Sequence, residues 1–167
     1  MATKRKSRVT LTTGDVFEFA VLDGRLGYGV VILGGGTPYI AMLKSLHRDR
    51  PTFAELIRDE IALVGQTMDA LFFHGRWTIV YRDFPIPAFI PFPNWKVGIR
   101  GILHTTDFEG ANYWPMRLGE AELLDYKFSR APIAYQAALE AIHGLAEWRD
   151  DYEKLTPAYA ERRVTRV

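Results

Sequence analysis

Four histidines (His47, His74, His104 and His143) and the complete absence of cysteine set the terms for any chemistry in this 167-residue chain. Without thiols there are no disulfides, zinc ribbons, iron–sulfur clusters or cysteine nucleophiles. A metal site would therefore be assembled from His, Asp and Glu. The best local pair is His104 with Asp107, at the expected end of a strand where side chains from adjacent loops converge, with Glu109 close by. Such a pair could help hold a divalent, zinc-like ion, which would turn a bound water into a hydroxide nucleophile. The same residues also suit a plainer role, a strand-end imidazole and a turn aspartate capping backbone groups. His74 falls in a tight His74-Gly75 turn, and His143 lies on a helix face with Glu140 and Glu147 at i−3 and i+4. Other catalytic spacings are missing: there is no HxH, HExxH or GxSxG, and Gly34-Gly35-Gly36 lacks the Lys-Ser/Thr of a phosphate loop. Asp15 and Glu18 lie three apart on an expected strand, hence on opposite faces, and make no carboxylate pair; Asp15 reads as a turn cap.

A second chemical signal is aromatic. Residues 72–95 hold eight aromatics in 24 positions, where the chain's 13% average gives about three. Phe72, Phe73, Trp77, Tyr81, Phe89 and Trp95 are the candidates for lining an apolar groove, because Pro85, Pro87, Pro91 and Pro93 in the same stretch resist burial in a sheet. Ordinary core and rigid-loop packing accounts for the same rings.

The elements that would position these groups read as α+β. Val16 to Leu22 is rich in β-formers, with Phe17, Phe19 and Val21 on one face. Asp23-Gly24 predicts a two-residue type I′ hairpin into a return strand over Leu26 to Leu33, and Pro38 to Leu43 predicts a third strand. Thr52 and Glu55 form a capping box for a short helix, after which Ile61 to Val64 suits either helix or strand. Leu71-Phe72-Phe73, the His74-Gly75 turn and Trp77 to Tyr81 suggest another hairpin. Asp83 to Pro93 is expected as a stiff, extended surface segment, and a further strand over Val97 to His104, followed by a turn from Thr105 to Asn112. Pro132 begins a long C-terminal helix with a stripe of Tyr135, Ala138, Ile142 and Leu145. Past Trp148 the charges suggest a solvated helical end or tail. The expected architecture is a strongly bent antiparallel sheet or small SH3-like barrel, with a short helix and a long C-terminal helix packed on it.

Composition is that of one soluble domain: 48% hydrophobic and 25% charged residues, with a formal net charge of +1. That balance leaves no broad basic face for nucleic acid, and Lys96 and Arg100 with a short arm make too small a footprint. Residues 1–10 carry Lys4, Arg5, Lys6 and Arg8 and read as a basic arm ahead of a single domain over 11–150, with 151–167 as a charged C-terminal segment. No apolar stretch follows the arm and none approaches the ~20 residues of a membrane helix, so a cytoplasmic location is expected.

The run Gly14-Asp15-Val16-Phe17, through Asp23-Gly24-Arg25 to Gly27-Tyr28-Gly29-Val30-Val31, resembles the opening hairpin of immunity family twenty-six of bacterial polymorphic-toxin systems. Gly75-Arg76-Trp77 before a Pro-rich turn is similar to that family's second signature, and the likeness spans roughly residues 13 to 115. The family includes a branch of small cytoplasmic proteins, the HocA-type phosphotriesterases, whose size this chain shares. The resemblance thus implies hydrolysis of organophosphate triesters, or, as the alternative, a non-enzymatic immunity protein that binds and neutralises a cognate toxin. A triester is neutral, so its site needs an apolar pocket and a strong nucleophile, here a metal-activated hydroxide on His104 and Asp107, rather than an arginine clamp. An immunity protein needs only an exposed aromatic patch with charges around it.

Overall fold

The computed structural model describes residues 9–166, so the basic arm up to Arg8 lies outside the described residues. Five strands, β1 (Val16–Ala20), β2 (Leu26–Leu33), β3 (Tyr39–Leu43), β4 (Ile61–Gln66) and β5 (Thr78–Tyr81), form one antiparallel sheet in the order β4-β3-β2-β1-β5. A second antiparallel sheet contains β6 (Trp95–Ile99), β7 (Ile102–Thr106) and β8 (Tyr113–Pro115). Around them lie α1 (Phe53–Ile57), α2 (Ala70–Phe73), α3 (Glu120–Leu123), α4 (Pro132–Ile142), a 3-10 helix (Asp150–Leu155) and α5 (Pro157–Glu161). The fold is α+β with an open sheet: β4 and β5 are edges, and no barrel closes. No helix among the described residues is long and apolar enough to cross a membrane.

The large sheet is buried on both faces, which explains why β2 and β3 read as continuous apolar runs rather than alternating ones. On one face Phe17, Phe19, Val31, Ile40, Met42 and Leu63 pack under Tyr135, Ala138 and Leu139 of α4. On the other, Val16, Tyr28, Val30, Ile32 and Ala41 meet Leu56 of α1, Phe84 and Ile90 of the proline segment, Trp95 and Phe108. The aromatic side of the first face needs a bare backbone opposite it: Phe17 pairs with Gly29, and a Cβ on Gly29 would clash with the edge of the Phe17 ring.

Several local expectations hold. Asp15 caps its turn by accepting the Thr12 N–H at 2.9 Å. The Thr52 and Glu55 capping box is complete, with the Glu55 N–H donating to Thr52 and the Glu55 carboxylate accepting the Thr52 N–H. Pro132 occupies the first turn of α4.

Others change for identifiable reasons. The β1–β2 loop has three residues rather than two. The Gly24 N–H donates to the Val21 carbonyl and the Val21 N–H to that of Arg25, and only Gly24 has positive φ, at 85°. This is a type I turn closed by a left-handed glycine, which leaves Asp23 in ordinary geometry. Leu71 to Phe73 is helical, not a hairpin arm: the N–H groups of Gly75 and Arg76 donate to the carbonyls of Phe72 and Leu71, a Schellman motif that ends α2. Released from that pairing, β5 instead pairs with β1, setting Tyr81 against Val16 and Ile79 against Phe17. The single strand expected over 97–104 is a hairpin, because Arg100 and Gly101 both take left-handed φ (50° and 80°) and reverse the chain.

The proline segment forms no ladder, as expected, yet it is not a surface strap: Phe84, Ile90, Pro91 and Pro93 are buried over the second face. The stripe of α4 also shifts. Tyr135, Ala138 and Leu139 are buried while Ile142 is exposed. The charged stretch after Trp148 is no solvated tail, since Tyr152 and Leu155 insert into the first core and Ala160 into the second.

Candidate functional site

The proline segment, the β7–β8 loop and the C-terminal residues enclose an open groove of about 910 Å³. Its apolar wall is a braced aromatic set. Phe92 and Phe108 lie 5.2 Å apart, each against Tyr39 (5.4 and 4.8 Å), and the Tyr39 hydroxyl donates to the Pro91 carbonyl at 2.7 Å. Burial pushes the Tyr39 phenol well above its ordinary pKa, so it stays a neutral donor. The backbone under the groove is thereby fixed by a proline-rich path and a buried hydroxyl. From that path Phe89 projects with 75% of its surface exposed, while the next residue, Ile90, is buried. On the far side of Phe89 lies a second recess of about 440 Å³ lined by Asp59, Ile61, Pro157 and Glu161, so the ring stands as a ridge between two hollows.

The polar rim is built with equal definition. Asp107 closes the β7–β8 loop by accepting the N–H groups of Ala111 (2.7 Å) and Asn112 (3.1 Å) and the Asn112 side-chain amide (2.6 Å). Burial works against its charge, but these bonds outweigh burial and hold the carboxyl below the usual aspartate range. Glu109 is exposed beside it, and Glu161 of α5 faces the same groove.

The third wall is the C-terminal end, Val164 and Arg166, pinned by two buried groups. The Asn94 side-chain oxygen accepts the N–H groups of Thr165 and Arg166, each at 2.8 Å, and the Asn94 N–H donates to the Arg163 carbonyl. Glu120, only 4% exposed, accepts from the hydroxyls of Thr105 (2.7 Å) and Thr165 (2.8 Å), from the Arg117 N–H (2.7 Å) and from the Arg166 guanidinium (3.0 Å). Burial opposes the Glu120 charge, and the Arg166, Arg117, Thr105 and Thr165 bonds overcome it, bringing the carboxyl down to about 2.

The residues singled out from sequence fall in different places. Of the six aromatics only Phe89 lines the groove, while Trp95 braces it from behind against Phe108 and Phe128. Phe72 and Trp77 belong to the opposite core, where Trp77 stacks on Phe17 at 4.6 Å. Phe73 is exposed on α2, and Tyr81 donates to the Pro51 carbonyl at the β5 edge. Asp107 is on the groove rim but His104 is not among its lining residues, and the His104 Nδ1 lies 3.1 Å from the Ile102 carbonyl of its own strand. No group of three or more His, Asp or Glu side chains suited to a metal ion occurs among the described residues. His143 ties the end of α4 to the residue just after β3, its Nε2 donating to the Lys44 carbonyl at 2.6 Å.

Sequence reasoning counts Phe92 among the eight aromatics of 72–95 but not among the six candidates, and it misses Phe108, Asn94, Glu120 and Arg166. The Asp107–Gly110 turn is a local signal that could have placed Phe108, but nothing local marks Glu120 as the partner of a residue 46 positions away. Comparison of the chain with family models, curated proteins and solved structures finds no match.

Proposed function

We propose that this chain is a binding protein of the immunity type, which captures a partner protein on its groove face and neutralises it without chemistry of its own. The observation that carries the reading is Phe89, a large ring exposed on a proline-set backbone and followed directly by the buried Ile90 and Pro91. An aromatic held rigidly in solvent costs little ordering entropy when a partner covers it, which is how interface anchors gain their energy. The recesses on either side would receive partner side chains, and Asp107, Glu109 and Glu161 favour a partner with basic groups. The resemblance of the first hairpin to the immunity family supports the same reading.

Hydrolysis of a phosphotriester is the second reading, favoured by the aromatic wall of the groove, which has room for a neutral ester. It ranks below the first because the oxygens of Asp107 are taken up by loop donors and His104 faces its own strand.

The test sets both against each other on highly purified protein. Calorimetry with toxin domains of polymorphic-toxin systems should find a tight binder, and Phe89→Ala should weaken it about thirtyfold, the ~2 kcal/mol of an interface anchor, with an unchanged melting temperature. Turnover of a chromogenic phosphotriester that a chelator abolishes, divalent metal restores and His104→Ala loses would overturn the binding reading in favour of the hydrolase.

A further inference from the structure

The β6–β7 hairpin outruns the body that holds it. At its base Trp95 is buried, the Lys96 N–H donates to the Asp125 carbonyl at 2.9 Å, and β8 pairs only with His104 to Thr106. Beyond that level the two strands have only each other. Because the Lys96 N–H points away from β7, strand alternation turns the N–H and C=O of Gly98 to the same outer edge. Its cross-strand partner Leu103 turns its own toward β8, which has ended one pair earlier. Both edges of the hairpin therefore carry open main-chain groups at one level.

The side chains there match an incoming strand. Ile102 is 65% exposed, its cross-strand partner Ile99 is exposed on the same face and Leu103 on the opposite face, and nothing lies within 4 Å of a Cβ placed on Gly98. The segment from Trp95 to Thr106 contains Lys96, Arg100 and His104 and no acidic residue. Arg100 sits at the very turn in left-handed geometry, and no ion pair holds it among the described residues.

We propose that this hairpin is a strand-addition site for an extended segment of a partner protein that alternates acidic and apolar residues. Open edge groups supply the main-chain bonds, Ile99 and Ile102 the apolar contact on one face, and Arg100 the charge selection. A lipid surface fits less well, because hydrocarbon would leave the Gly98 and Leu103 backbone groups unpaired. A second copy fits less well too. Three aliphatic side chains fall far short of the roughly 800 Å² per partner of a stable dimer, and two hairpins would bring Arg100 and Lys96 against their own kind. No residue from 98 to 103 lines the groove.

The experiment uses the full chain and a synthetic peptide of alternating Glu and Val, with a Lys–Val peptide and phosphatidylglycerol vesicles beside it. Amide exchange followed by NMR should show the amide on one edge of the hairpin, Gly98 or Leu103, protected about tenfold or more by the Glu–Val peptide alone, since one added strand pairs with one edge. Ile102→Lys should abolish that protection. Arg100→Asn, which keeps the left-handed turn while removing the charge, should weaken it. Absence of protection, equal protection by both peptides, or binding to vesicles without binding to the peptide would each overturn the proposal. An unchanged response in Phe89→Ala separates this site from the groove.

Discussion

Glu120→Gln is the sharpest perturbation the fold permits, because it preserves shape while removing the buried carboxylate charge that pairs with Arg166 in the C-terminal wall. The Glu120 carboxyl is held at about 2 in place of 4.5, and its side chain and that of Arg166 are only 6% and 11% exposed. A depression of that size corresponds to about 3 kcal/mol of stability at neutral pH, at ~1.4 kcal/mol per unit. Since the folded value lies below the unfolded one, this stability is fully present above about pH 4.5 and is lost as pH falls through about 2. Replacing the carboxylate leaves the Arg166 guanidinium with the Pro115 carbonyl, 2.9 Å away, and the Trp114 ring. The cost at pH 7 should therefore lie near 3 kcal/mol, the low end for breaking a buried pair.

Urea unfolding of the wild type and Glu120→Gln at several pH values between 7 and 2 measures this directly. Glu18, Asp107 and Asp125 also have lowered pKa values, but they contribute equally to both proteins and cancel in the difference. The gap between the two should be about 3 kcal/mol at neutral pH and shrink toward zero near pH 2. At about 2–4 °C per kcal/mol, it corresponds to a melting temperature lower by roughly 6–12 °C. Adding Arg166→Met to Glu120→Gln should cost less than the two separate losses combined. A gap that does not change with pH would refute the assignment of Glu120 as the charged anchor.

Phe89→Ala should leave urea stability unchanged within about 0.5 kcal/mol, since the ring is exposed, and its effect should be confined to partner binding. Gly29→Ala drives a methyl into the Phe17 ring, which is locked by Phe72 at 5.0 Å and Trp77 at 4.6 Å; a loss of about 1–3 kcal/mol in chemical denaturation is expected. Gln136→Leu strips the Trp77 indole N–H and the Ala20 carbonyl of their partner within a buried polar chain, and should cost about 1–3 kcal/mol with a shift in tryptophan emission.

The contrast between what local sequence revealed and what it hid follows from the two-faced sheet. Turn glycines, the Thr52–Glu55 box and Pro132 act over a few residues, so the first three strands, α1 and the start of α4 were legible. Aromatic density was legible too, but density cannot say which face a ring takes. Phe72 and Phe89 sit in one run of sequence, and the Schellman reversal at Gly75 sends the first under α4 while the prolines carry the second to the groove on the opposite side. The groove was hidden for a related reason. It is closed by pairings between distant positions, Asn94 with Thr165 and Glu120 with Arg166, and polar residues at such positions look like solvated surface until the chain brings them together. His104 and Asp107 show the converse. Their spacing suggested convergence, but a strand that turns back at Arg100-Gly101 gives each a local partner first, Ile102 for the imidazole and Asn112 for the carboxylate. A local hydrogen-bond partner competes with any long-range site for the same side chain, so a short-range pair of ligand types is weak grounds for a metal centre, and an exposed ring such as Phe89 is stronger grounds for a partner.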